Sequence, residues 1–221
     1  MGFYSLDKVK QITILTANAT LSGFLFVPKE AIGLVLFAHG SGSSARSTRN
    51  QYVAGLLNQA NLATLLFDLL TPTEEKIDDI TRELRFNISF LVNRLIEVTH
   101  WSTKQFPALN LGYFGASTGA AAALVAAAKE QALIKAVVSR GGRPDLAGNS
   151  LTQVKAPTLL IVGEKDKVVI ELNELAMTSL TGCVKQLEIV PRATHLFEEK
   201  GALAKVAELA KNWFTTYLPT A

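Results

Sequence analysis

The chain has 221 residues, 48% hydrophobic and 19% charged, with a net charge of +3 and one cysteine, Cys183. That balance excludes a disordered or fibrous chain, and the length buries enough surface to fold without disulfides, none of which a lone cysteine can form internally. Its arginines come in scattered pairs, Arg46 with Arg49 and Arg140 with Arg143, and no stretch reaches the roughly 20 apolar residues of a membrane span, so neither a nucleic-acid nor a membrane partner is expected.

In chain order, VKQITILT and LSGFLFVP read as an antiparallel strand pair joined by ANA. Ile32 to Ala38 is a continuous apolar run, the pattern of a strand covered on both faces. STRNQYVAGLLNQA follows with helical spacing, then LATLLFD as a second buried strand. A long helix is expected over about Ile80 to Ser102, with Leu84, Ile88, Leu91, Val92, Leu95 and Ile96 on one face. LNLGYFG, IKAVVSR, PTLLIVG and KQLEIVP are four further strands. They alternate with helices over TGAAAALVAAAKE, VVIELNELAMTS and ALAKVAELAKNWFTTY. This alternation predicts one α/β domain over residues 1–221, with a mostly parallel sheet and helices on both faces. The stretch between IKAVVSR and PTLLIVG is too short for a helical lid domain. The start MGFYSLDKVK lacks the apolar run of a secretory signal, and with the single cysteine this predicts a cytoplasmic protein.

Open parallel sheets carry their chemistry in loops at the carboxyl ends of the strands. Gly115-Ala116-Ser117-Thr118-Gly119 lies at such an end and fits G-x-S-x-G, a strand-to-helix elbow that aims a serine hydroxyl outward. The bland alternative is a serine that merely caps the helix. A serine nucleophile needs a base, and the base needs an orienting acid. In this class of sheet the chain order is serine, acid, histidine. Of His39, His100 and His195, only His195 follows Ser117. The acid is expected at Asp166 in LLIVGEKDKVV, with Glu164 and Asp145 as alternatives. Backbone amides of Thr118 and of Ser41, in AHGSGSS, are the expected oxyanion donors. His39 reads as a residue that pins its loop, and His100 as an exposed residue at a helix end. Arg46 and Arg143, from loops on the same edge, are candidates to hold an anionic substrate group.

A rival reading comes from GSGSSA, which fits G-x-G-x-x-A after a strand, with Asp68 ending the next one; this is the fingerprint of a dinucleotide-binding oxidoreductase. It leaves the Ser117, Asp166 and His195 series unexplained. A second rival is a non-catalytic binding protein that keeps a hydrolase shell.

AHGSGSS, FDLLTPTEE, GYFGASTGAAAAL, SRGGRPDLAG, LLIVGEKDKVV and RATHLFEE together resemble the dienelactone hydrolase-like branch of the α/β-hydrolase superfamily, over nearly the whole chain. The resemblance implies an eight-stranded sheet without a large cap. It also implies a triad of Ser117, Asp166 and His195, with oxyanion donors near Ser41 and Thr118. Dienelactone hydrolases proper carry cysteine at the elbow. Serine there implies a carboxylesterase-like hydrolase for a small ester, with no cofactor or metal. Some relatives of this branch are fused to phosphoribosyltransferase domains, and no such domain is expected in this sequence.

Overall fold

The computed structural model describes residues 7–219. Eight strands form one sheet, in the spatial order β1-β2-β4-β3-β5-β6-β7-β8. β1 (Lys10–Leu15) and β2 (Thr20–Phe26) pair antiparallel, and β2 joins the rest through an antiparallel contact with β4 (Leu62–Phe67). β3 (Gly33–Ala38), β4, β5 (Leu111–Ala116), β6 (Ile134–Arg140), β7 (Thr158–Gly163) and β8 (Lys185–Val190) run parallel. Every residue of β3, β4, β5 and β7 is buried, which explains their unbroken apolar sequences: both faces are covered. The edge strand β8 is only partly buried and its composition is mixed accordingly.

One face is covered by α1 (Thr48–Asn58) and α6 (Ala202–Tyr217), which enclose Val35, Phe37, Phe114, Val138, Ile161 and Phe214. The Phe37 and Phe114 rings lie 4.8 Å apart there. The other face carries α3 (Ile88–Gln105), α4 (Thr118–Lys129) and α5 (Lys167–Ser179). Ten of the 12 residues of α4 are buried, and its alanines let it lie close to the sheet. A side chain such as Leu36 or Leu160, fully buried here, contributes about 1.5–3 kcal/mol relative to exposure.

The long helix expected from Ile80 is two elements. α2 spans Pro72–Thr81, and α3 begins only at Ile88, after a 3-10 turn at Leu84–Phe86. α2 starts at a capping box in which the Thr71 hydroxyl accepts the Glu74 amide and Glu74 accepts the Thr71 amide, with Pro72 in the first helical position. It stops at Arg82, which takes a left-handed conformation at φ +58°. Asn87 then caps α3 by accepting the Phe90 amide. Ile80 and Phe86 are exposed, so the apolar stripe does not run through the break. Between β6 and β7, a short helical stretch (Pro144–Gln153), kinked at Gly148, packs along α4 and α5 and adds no cap over the strand ends. Among the described residues, no helix is long and apolar enough to cross a membrane.

Candidate active site

Ser117 follows β5 directly and precedes the first residue of α4. Its backbone sits at φ +51°, ψ −120°, outside the regions that L-residues favour. Its side chain makes no capping hydrogen bond to the helix, which removes the capping role. The strain is fixed on both sides. The Ser117 amide donates to the Arg140 carbonyl (3.2 Å), and the Ser117 carbonyl accepts from the Arg143 amide (3.2 Å). The two flanking glycines are required by contact. A Cβ on Gly119 would lie 2.2 Å from the Ala38 carbonyl oxygen, and one on Gly115 would lie 2.4 Å from the Ala120 Cα. The elbow is therefore wedged against the end of β3 with no room for a side chain at either position.

Asp166 stands at the start of α5, just past β7, and His195 lies in the loop after β8. The His195 Nδ1 and Asp166 Oδ2 are 2.6 Å apart, a short charge-assisted contact that places the Nδ1 proton toward the carboxylate and leaves Nε2 on the other side of the ring. Asp166 is mostly buried, whereas His195 keeps 40% of its side-chain surface accessible. The imidazole lies over Gly141, the residue after β6. Gly141 has φ +52°, and a Cβ there would sit 3.4 Å from both Nδ1 and Cε1. β6 lies between β5 and β7 in the sheet, so Gly141 stands in the row of strand ends between those that lead to Ser117 and Asp166.

The two alternative acids are engaged elsewhere. Glu164 accepts the Arg192 amide at 2.6 Å. Asp145 holds Arg143 in a two-point pair at 2.9 and 2.7 Å. That pair also changes the expectation for Arg143, whose guanidinium already has its carboxylate. The Arg46 guanidinium stacks over the Phe24 ring, 5.4 Å from its centroid, on the β2 side of the molecule. The structure thus does not present Arg46 and Arg143 together as an anion clamp.

Thr118 and Ser41 meet, in a way the sequence did not reveal. The Ser41 amide donates to the Thr118 hydroxyl at 3.0 Å, so this expected oxyanion donor has an internal acceptor. The contact joins the loop after β3 to the first turn of α4, whose leading amides lack helical partners. His39 pins the same loop from behind. It is buried, contacts the Gly40 carbonyl through Nδ1 (2.9 Å) and accepts the Leu69 amide at Nε2 (3.0 Å). This pattern fixes the neutral tautomer with the proton on Nδ1, and burial pushes its pKa down. His100 is exposed and lies 3.1 Å from Glu130, within α3. Cys183 is half-buried against the core.

Beside the Ser41 loop is a small cavity of about 130 Å³, whose lining includes His39, Ser41, Leu69, Asp78, Arg85 and Leu91. Its wall is the α2 and 3-10 segment. That wall is held by Asp78, which is buried and accepts the Arg85 amide (3.0 Å) and the Arg85 Nε. Burial raises the Asp78 carboxyl, but the Arg85 hydrogen bonds outweigh it and hold the group below its usual range.

A family model described as "Dienelactone hydrolase family" matches residues 49–218. The chain belongs to the dienelactone hydrolase family. A crystal structure of a dienelactone hydrolase from Anabaena variabilis is 55% identical, with a TM-score of 0.93 over 96% of this chain and 98% of that one. Two curated relatives, from Mycobacterium tuberculosis strains CDC 1551 and H37Rv, are 54% identical over 211 residues and carry a provisional phosphoribosyl transferase name. The match covers 95% of this chain but 46% of theirs, so this family member spans about half the length of those relatives. Est1E from Butyrivibrio proteoclasticus, with ferulic acid bound, shares the fold at 19% identity and a TM-score of 0.79, over 93% of this chain and 98% of that one.

The dinucleotide reading of GSGSSA does not suit this geometry. α1 starts at Thr48 under a Ser47 cap, beyond the glycines, and Asp68 already accepts the Ala45 amide at 2.7 Å.

Proposed function

We propose that this family member is a serine hydrolase that cleaves small esters through an acyl-enzyme. Ser117 attacks the ester carbonyl, and its proton passes to His195 Nε2. Asp166 holds the imidazole in the productive tautomer and stabilises the imidazolium that forms. The negative charge that develops on the carbonyl oxygen is met at the start of α4 by the Thr118 amide. The Ser41 amide joins it by turning part of its hydrogen bond from the Thr118 hydroxyl to the stronger, anionic acceptor. Each such donor contributes roughly 3 kcal/mol to transition-state binding. His195 then returns the proton to the leaving alcohol. A water deprotonated by the same imidazole adds to the acyl carbonyl, and Ser117 leaves with its proton restored.

The observation that carries the reading is the backbone of Ser117. A non-glycine residue at φ +51°, with a hydroxyl that does not cap its helix, is strain held for a chemical purpose. The carboxylate-bonded imidazole of His195 supports it, as does the dienelactone hydrolase name of the Anabaena relative. The uncapped strand ends favour short acyl groups over long lipids.

The test is active-site labelling followed by a substrate panel. A fluorophosphonate should label the chain once, at Ser117, and Ser117→Ala should abolish both labelling and turnover of short aryl esters. Thioesters and lactones in the same panel narrow the substrate class. Turnover that persists in Ser117→Ala would end the proposal.

A further inference from the structure

On the sheet face opposite α4, behind the His195 loop, two arginines lie close together with unused donors. Arg140 ends β6 and is 8% exposed, and neither its Nε nor its Nη1 has a hydrogen-bond partner among the described residues. Arg49, in the first turn of α1, has a buried Nε that is likewise without a partner. The acid that reaches this pair is Glu198, which is 64% exposed and 3.4 Å from Arg49 Nη1. Burial and the neighbouring Arg49 charge lower the Arg140 pKa to about 10, so its guanidinium stays charged at neutral pH. A buried guanidinium, Arg140, and a partly exposed one, Arg49, have one paired carboxylate between them among the described residues, Glu198 on Arg49. Isolated buried charges cost several kcal/mol, and proteins ordinarily pair them.

Arg49 lines an open surface groove with Thr48, Tyr52, Glu198, Glu199, Lys200 and Leu203; Arg140 is not among the groove's lining residues. Planar guanidinium forks match the oxygens of phosphate in two-point contacts, and two of them converge on a tetrahedral oxyanion better than on a halide. The exposed Tyr52 ring on the groove wall offers a surface to an organic group carried by the phosphate.

We propose that Arg49 and Arg140 form a binding site for a phosphate-bearing small anion, entered through the groove between α1 and the start of α6. The site touches the candidate active site from behind. The Arg140 carbonyl accepts the Ser117 amide, Gly141 carries the His195 ring, and Phe197 and Glu198 follow His195 within three residues. An anion bound here fastens the His195 loop to α1.

The experiment is calorimetric titration of the full chain with inorganic phosphate, and separately with phenyl phosphate, at ionic strength held constant with chloride. No turnover is measured, so the outcome is independent of the ester-hydrolase reading. A saturable, one-to-one signal is expected. Loss of a charge-assisted contact predicts at least about tenfold weaker binding in both Arg49→Gln and Arg140→Met. Tighter binding of phenyl phosphate assigns the groove to an organic phosphate, and equal binding assigns the site to the bare anion. Should Arg140→Met fail to fold, Arg49→Gln carries the test alone. No saturable heat up to tens of millimolar, or binding unchanged in Arg49→Gln, overturns the proposal.

Discussion

Replacing Ser117 by glycine should make the protein more stable, although it removes the hydroxyl on which the proposed chemistry depends. At φ +51°, ψ −120° a residue with a Cβ is strained, by about 1–3 kcal/mol for conformations of this kind. Glycine relieves most of that strain. It also adds freedom to the unfolded chain, which costs about 0.5–1 kcal/mol relative to alanine. The net gain of Ser117→Gly over Ser117→Ala is thus about 1 kcal/mol, equivalent to a Tm rise of about 2–4 °C for a chain of this size. The alanine variant is the right reference, because it keeps the Cβ that packs near Gly40 and loses only the oxygen. Parallel thermal melts and urea titrations of the two variants measure the difference. Both should be inactive. If the glycine variant melts at or below the alanine variant, the serine is not under backbone strain and the argument from its conformation fails.

Gly119→Ala should destabilise by more than about 3 kcal/mol, since its Cβ would press into backbone carbonyls at 2.2 and 2.4 Å that cannot rotate away; a urea titration reads this directly. Asp166→Asn should lower kcat by up to about 10⁴-fold with little change in Tm, while Glu164→Gln should keep activity within a few-fold; equal losses would return the acid assignment to open choice. His39 gives a pH dependence. Its folded pKa is depressed by burial, so the unfolded chain takes up the proton first. Its contribution to stability is complete above about pH 6.5 and is lost as pH falls from there toward the folded pKa. Urea midpoints at pH 7.5 and 5 should differ more in the parent chain than in His39→Gln, and an equal pH response would refute this. Asp78 acts lower on the scale: its pKa is also depressed, so its contribution holds above the ordinary carboxylate range and fades as pH falls below it. Asp78→Asn should therefore flatten the stability profile in acid.

What could be read from the sequence was whatever the backbone period and the order of residues encode. β3, β4, β5 and β7 announce themselves as apolar runs because each is buried on both faces. The elbow is legible because two close backbone approaches admit only glycine. His195 follows from chain order alone. The break at Arg82 was hidden because the residue that turns the chain there is an arginine in a left-handed conformation, where glycine would have flagged the stop. The start of α2 was available in TPTE, a capping box with proline behind the cap, but the apolar stripe further on masked it. The remainder depends on which side chains find one another across the fold. Arg143 finds Asp145, Arg46 finds Phe24, and the Thr118 hydroxyl finds the Ser41 amide; no spacing rule states any of these.

The position of β8 has one more effect. Ser117 rises from the middle of the sheet, whereas His195 hangs from its outermost strand, which is bonded along one side only. Margins of a sheet open at lower free energy than its centre. Mild denaturant should therefore loosen the His195 loop while most of the chain stays folded, so that the proposed ester turnover dies away before the far-ultraviolet signal moves.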